Sequence, residues 1–383
     1  MSLSAYSQLN FKGTTFLRLF LLLSLSIYIS TVIPPLKLPF FFPIIVLVSL
    51  FLISVVLYCC HLYRLSVITC HLIIVAYGLL LTTPLSSVQQ HISTLLYPFE
   101  TIRNLIIERY SAIGITDDNL SLLSALTLGS RSGLSSSLID SFRASGVAHV
   151  LVVSGMHVGF IYLAITLLLR VSRHKRLSAF VGLLLLWLYA LIVGATLSVC
   201  RATFMFSVML FMKVVGERYR SFHALFLSAF VQLLITPSAL FDIGFQLSYS
   251  AVLSILIFYP LFPSFPNKVV SFFYNPIRLT VSAQILIAPL VAYYFGQFPV
   301  YFIITNLIVS LLVPVIFIGG FLALIPGFSA VLVQPLNYLL SFLQTTVVTI
   351  ASMPMALVQV RITFAVLILI YVLIALVVLY SII

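Results

Sequence analysis

The chain has 383 residues, of which 62% are hydrophobic and only 7% charged, with a mean hydropathy of +1.26. Soluble domains are about half apolar and a quarter charged, so composition excludes one and implies an integral membrane protein with many spans. The formal charge of +12 comes from scarce acids rather than from a basic tail, and it suits orientation in a membrane as well as it suits a polyanionic partner.

Lipid satisfies no backbone group, so a spanning segment needs roughly 20 apolar residues wound as a helix. A β-barrel would show short alternating segments, whereas "FAVLILIYVLIALVVLY" near the C-terminus is uniformly apolar. The fold class expected is an all-α integral membrane protein, a polytopic bundle of about 11–12 transmembrane helices with an interfacial amphipathic helix.

In chain order, hydropathy predicts spans at 16–33, 40–60 and 65–83, which form an N-terminal region, 1–84. The first run is followed by "TVIPPLKLPF", without a small-residue cleavage site, and reads as a membrane helix rather than a cleaved signal. The second region, 85–146, is less apolar. Within it Ile92, Leu95, Leu96, Phe99, Ile102, Ile106 and Tyr110 recur at three- and four-residue steps. That periodicity predicts an amphipathic helix along the interface, with Glu100, Arg103, Glu108 and Arg109 on its wet side. "TDDN" at 116–119 supplies cap chemistry for a short helix ending at Gly129, and a second, "LSSSLIDSFRASG", stops at Gly146. The third region, 147–383, holds apolar segments at 147–169, 178–196, 197–213, 221–238, 243–260, 279–297, 301–325, 328–353 and 362–382.

Basic residues orient this layout. With a cytoplasmic N-terminus, "RVSRHKR" and "KVVGERYR" fall inside, and 85–146 faces outward with five of the seven acids. Cys59, Cys60, Cys70 and Cys200 lie in or beside predicted spans, with no disulfide framework and no metal spacing, and read as small packing residues.

Polar groups inside spans are functional candidates, because each costs about 2–3 kcal/mol unless paired or wet. "VAHVLVVSGMHVGFIY" carries His149, Ser154, Gly155 and His157. On one continuous helix the two histidines stand about 80° apart and face one cavity, and Gly155 loosens the backbone beside Ser154. Three readings are open for this cluster: a serine hydrolase, a zinc site, or polar helix-to-helix bonds. An intramembrane protease wants Gly two before the serine, where Val152 sits, and no third zinc ligand is obvious. Arg201 in "ATLSVCRATFMF" must find a carboxylate, carbonyls, water or phosphate. "FDIGFQLSYSAVLS" adds Asp242, Gln246 and Ser248; Asp242 either caps its own helix or pairs with Arg201. Further on, Pro289, Gly296, Pro299, Asn306, Pro314 and Gly319–Gly320 either break helices along a wet path or merely kink them.

At "ALTLGSRSGLSSSLIDSFRASGVAHVLVVSGMHVGFIY" the chain resembles the competence domain of the ComEC family, inner-membrane channels for bacterial DNA uptake. The family pattern maps to Leu128–Gly129, Arg131, Gly146, His149, Ser154, Gly155 and His157. It continues at Ser198, Arg201 and Ala202, at "DIGFQLSY" from Asp242, and at "FGQ" with Asn306 and Pro314. The resemblance implies a channel for single-stranded DNA, without cofactor or metal, in the inner membrane. Its lining or gating residues would be His149, Ser154, Gly155, His157, Arg201, Asp242, Gln246, Ser248 and Asn306. Arg103, Arg109, Arg131 and Arg143 would receive incoming DNA, against the partly cancelling field of Glu100, Glu108, Asp117, Asp118 and Asp140. Family members often carry an OB-fold domain and a metallo-β-lactamase-like domain, for which this sequence shows no room and no HxHxDH-type signature. The resemblance therefore implies that OB-fold, nuclease and cytoplasmic motor proteins act in trans. A small-solute permease is the rival class.

Overall fold

The computed structural model describes residues 15–32, 72–74, 86–170, 175–215 and 221–382. The expected spans at 40–60 and 65–83 lie outside these residues except at 72–74, and so do Cys59, Cys60 and Cys70. The helices are α1 (Thr15–Val32), α2 (Ser86–Ala112), α3 (Asp117–Leu128), α4 (Ser136–Ala144), α5 (Gly155–Arg170), α6 (Lys175–Ile192) and α7 (Leu197–Val215). They continue with α8 (Ser221–Ile235), α9 (Ile243–Phe258), α10 (Lys268–Phe295), α11 (Phe302–Ala323), α12 (Ser329–Ala351) and α13 (Phe364–Ile382). Two three-residue strands, β1 (Gln297–Pro299) and β2 (Leu357–Gln359), pair antiparallel with Gln297 opposite Gln359.

Four of these helices are long and apolar enough to cross a membrane, over Ile243–Leu261, Lys268–Phe295, Phe302–Ala323 and Ser329–Ala351. Six shorter apolar helices accompany them among the described residues. The chain is an all-α, multi-pass membrane protein.

The chain divides into two compact units, residues 1–90 with 220–249, and 91–219 with 250–383. In the first, Leu23 and Ile27 of α1 pack on Ala229 and Leu233 of α8, joined by Ala239 and Phe245. The hydroxyls of Ser26 and Ser228 donate to the carbonyls of Leu23 and Leu225 in their own helices, both at 2.8 Å. Such back-bonding lets an apolar helix carry a serine without an orphaned donor.

In the second unit one core joins Leu122, Leu123 and Leu126 of α3 and Phe142 of α4 to Val313 of α11 and Leu340 of α12. Lipid tails are as apolar as leucine, so close packing rather than water exclusion holds such helices together. Small residues make the approach possible: a Cβ at Gly320 would stand 3.0 Å from Leu123 Cδ1 and 3.2 Å from Thr127 Cγ2. Polar bonds pin the same layer, because Asn337 of α12 accepts from the Thr116 N–H at 3.3 Å and donates to the Gly114 carbonyl at 3.1 Å. The hydroxyl of Thr116, the residue before α3, accepts from Asn119 Nδ2 at 2.9 Å and makes no cap bond to the backbone of that helix.

Two sequence expectations need correction, and one left open is decided. The segment 147–169 is not one helix: Ala148–Val150 is an isolated 3-10 turn and α5 starts only at Gly155. Helix α10 starts at Lys268 rather than 279, where the Asn267 side chain accepts from the N–H groups of Val269 and Val270 at 2.9 and 3.3 Å. Its 28 residues reach about 42 Å, beyond the ~30 Å of hydrocarbon, so a hydropathy window misses the overhanging end. Of breaks and kinks, both left open by the sequence, the structure shows no break at Pro289 and Pro314, which lie inside continuous helices, or at Gly319–Gly320, which sits within α11. Within this stretch Gly296 does end a helix, capping α10 with φ of 64°.

Candidate functional site

The start of α5 is built as a reciprocal cap. Ser154 precedes the first helical turn, whose leading N–H groups have no intrahelical acceptor. Its hydroxyl accepts from the Met156 N–H at 3.4 Å. His157 reaches back so that Nδ1 accepts from the Ser154 N–H at 3.2 Å. This is the arrangement of a capping box, with a histidine where Glu or Gln usually sits. The bond makes Nδ1 the acceptor, so the neutral ring carries its proton on Nε2. Nε2 is buried and has no hydrogen-bond partner among the described residues. The ring, fully buried, lies 5.6 Å from the Phe317 ring and 6.2 Å from that of Phe160.

The two histidines do not lie on one continuous helix. His149 sits in the 3-10 turn and is exposed, whereas His157 is buried in the first turn of α5. The helical break between them means that the angle of a continuous helix does not apply.

Helix α5 lies against α7 through two glycines that the sequence reading did not single out as a pair. A Cβ at Gly155 would stand 3.5 Å from Ala202 Cβ, and one at Gly159 would stand 3.4 Å from Phe206 Cζ. Both contacts advance by four residues, so the helices run parallel, with α6 returning between them in sequence. The Tyr162 ring stacks on Phe206 at 4.9 Å. The G-x-x-x-G spacing from Gly155 to Gly159 was the available signal. Arg201 adjoins Ala202 at this contact and is only 8% exposed.

Around this contact several turns of the chain close in. Gly129, left-handed with φ of 70°, ends α3 within van der Waals reach of Val153 and Val193. The Tyr189 hydroxyl donates to the Thr127 carbonyl at 3.1 Å, and its ring meets Phe317 edge-on. The loop from α6 to α7 turns at Gly194, φ 94°, and Ala195, φ 47°, with Arg103 Nη1 3.2 Å from where a Gly194 Cβ would be. Leu128–Gly129, Ser154–His157 and Arg201 thus belong to one neighbourhood, supplemented by Tyr189, Gly194 and Phe317.

Other expected residues make local bonds of their own. Asn306 donates to the Phe302 carbonyl of its own helix at 2.8 Å. Asp242 caps α9, accepting from the Phe245 N–H at 2.8 Å, and Gln246 donates to the Leu240 carbonyl at 3.0 Å. Ser248 follows on the same helix, half-buried. Of the outward arginines, Arg103 is largely buried and pairs with Glu100 at 3.5 Å, and Arg143 pairs with Asp140 at 2.9 Å. Arg109 and Arg131 are exposed.

Gly146 ties the approach to α5 against the start of α11. It has φ of 83°, and a Cβ there would meet Phe302 Cβ at 2.8 Å and Pro299 Cγ at 2.9 Å. Gly146→Ala combines left-handed strain with a clash against atoms held by backbone, and is expected to cost about 2–4 kcal/mol. Thermal unfolding of the purified variant in detergent checks this, with Gly155→Ala, which has room for a methyl group, expected to shift much less.

Residues 126–382 match a family described as Competence protein. The chain is 30% identical over 213 residues to ComE operon protein 3 of Bacillus subtilis (strain 168), covering 55% of this chain and 27% of that protein. It is 31% identical over 160 residues to an uncharacterized protein of Aquifex aeolicus (strain VF5), covering 41% of this chain and 38% of the relative. The matches thus span between about a quarter and two-fifths of these relatives' lengths. No solved structure matches.

Proposed function

Since the chain belongs to the Competence protein family, we propose that it conducts single-stranded DNA across the bacterial cytoplasmic membrane during transformation, without itself cleaving the strand. The observation that carries this reading is the coincidence of the family match, 126–382, with the neighbourhood of Gly129, His157, Tyr189, Arg201 and Phe317. A strand crossing lipid needs donors that suit phosphate without trapping it. His157 and the guanidinium of Arg201 are such donors, in a largely apolar layer. In this reading His149, Ser154, Gly155, Asp242, Gln246, Ser248 and Asn306 line or gate the path, through hydroxyls, amides and helix ends. Arg109 and Arg131 receive the strand on the outer face, helped less by Arg103 and Arg143, which are paired to acids.

The N-terminus is cytoplasmic in this scheme, following the basic loops. The channel works with other proteins of a competence machine, among which an OB-fold protein, a nuclease and a cytoplasmic motor are the expected partners. Deletion of the gene in a transformable host tests the reading. Labelled DNA is expected to remain bound at the cell surface while its appearance in the cytoplasm is lost. Normal cytoplasmic uptake, accompanied by a defect for a small solute, would instead identify a permease.

A further inference from the structure

We propose that the β1–β2 ribbon is a docking surface for the phosphate backbone of a single strand, with the Arg361 guanidinium as its charged contact. This inference rests on the reading that the chain conducts single-stranded DNA. The ribbon lies at the end of α10, whose last residues, Tyr294 and Phe295, are 37% and 56% exposed. Exposed aromatics at a helix end mark the membrane–water boundary, so the strands that follow sit at the edge of the aqueous phase.

The sequence around the ribbon is free of acids. No Asp or Glu occurs after Asp242, in contrast to 85–146, where five acids offset the arginines. Arg361 is exposed and makes no ion pair among the described residues. Its stem crosses the carbonyl end of α10, with Cγ 3.5 Å from the position of a Gly296 Cβ. That contact fixes the base of the side chain, and the helix C-terminus favours the cation there. The ribbon itself is held by β1–β2 pairing and by the Val360 N–H donating to the Gly296 carbonyl and the Val300 N–H to that of Ala356, both at 3.0 Å.

Side chains alternate across a strand, so Gln297, Pro299, Leu357 and Gln359 share one face. Pro299 on that face meets Gly146, three residues before exposed His149. Two glutamine amides, an arginine and the segment leading to the α5 cap are thereby joined by direct contacts. Amide and guanidinium donors suit a phosphodiester chain of any sequence. An anionic lipid headgroup offers similar oxygens, but the segment reached through Pro299 leads to His157, which favours the strand.

The test uses the full chain in zwitterionic nanodiscs, with fluorescein-labelled oligo(dT) read by anisotropy across a salt series. Arg361→Gln keeps the stem and removes the charge. It is expected to weaken binding about five- to tenfold and to flatten the salt slope by about 0.7, the share of one phosphate contact on a single strand. Arg361→Lys is expected to restore most of the affinity. Wild-type affinity and slope in Arg361→Gln would overturn the docking surface while leaving strand conduction standing. Failure of the wild-type chain to bind oligo(dT) at all would instead bring down the conduction reading itself. An effect of Arg361→Gln seen only on retention of anionic lipid added to the nanodiscs would assign the surface to headgroups and overturn the proposal.

Discussion

His157→Ala is expected to lower transformation to background and to destabilise the protein, whereas His157→Gln is expected to lose transformation alone. The two substitutions separate the two ends of the ring. Nδ1 closes the cap on the Ser154 N–H, and a glutamine at the same position accepts that bond as it does in ordinary capping boxes. Nε2 projects into the layer of Phe160 and Phe317, where it has no partner among the described residues. Alanine removes the acceptor and leaves a cavity at a fully buried site, together about 2–4 kcal/mol. Melting temperature in detergent and transformation frequency, measured on the same variants, provide the readout. Should His157→Gln transform like the wild type, His157 is a helix cap and nothing more.

Arg201→Ala is expected to reduce transformation by roughly a hundredfold, as loss of about 2–3 kcal/mol of stabilisation from one intramembrane charge implies. The protein should still reach the membrane in normal amount, which immunoblotting of fractions checks. Arg201→Lys retains the charge but not the planar fork of donors, and is expected to recover only part of the loss. The placement supports this: the residue is 8% exposed, one position before an alanine packed on Gly155. Undiminished transformation in Arg201→Ala would remove the guanidinium from the path.

Much of the helical layout was legible because lipid imposes it. Segments such as 301–325, 328–353 and 362–382 correspond to α11, α12 and α13 within a few residues, since uniform apolarity over a membrane's thickness has one structural solution. Gly129 and Gly146 were legible as helix ends, and both adopt positive φ. The beginning of α10 was not, because an overhang with Lys268 and Asn267 looks like a loop to any hydropathy measure. Pro289 and Pro314 left the choice between break and kink open, because a proline signals a break whose cost neighbouring helices can offset.

The candidate site was half visible. Ser154, His157 and Arg201 stand out as expensive residues in apolar sequence. Their bonding does not: "VVSGMHVG" reads as a span with a flaw, and only the fold shows a helix beginning at that flaw. The sequence by itself determined that the chain is a multi-pass helical membrane protein and which polar residues burial would make costly. Tertiary structure decided that His149 is exposed while His157 is buried, that Gly155 and Gly159 bring α5 against α7, and that Gly146 meets β1. Composition and periodicity are local quantities that hydrocarbon reads directly. Caps, glycine contacts and strand pairing depend on which distant segments arrive beside them.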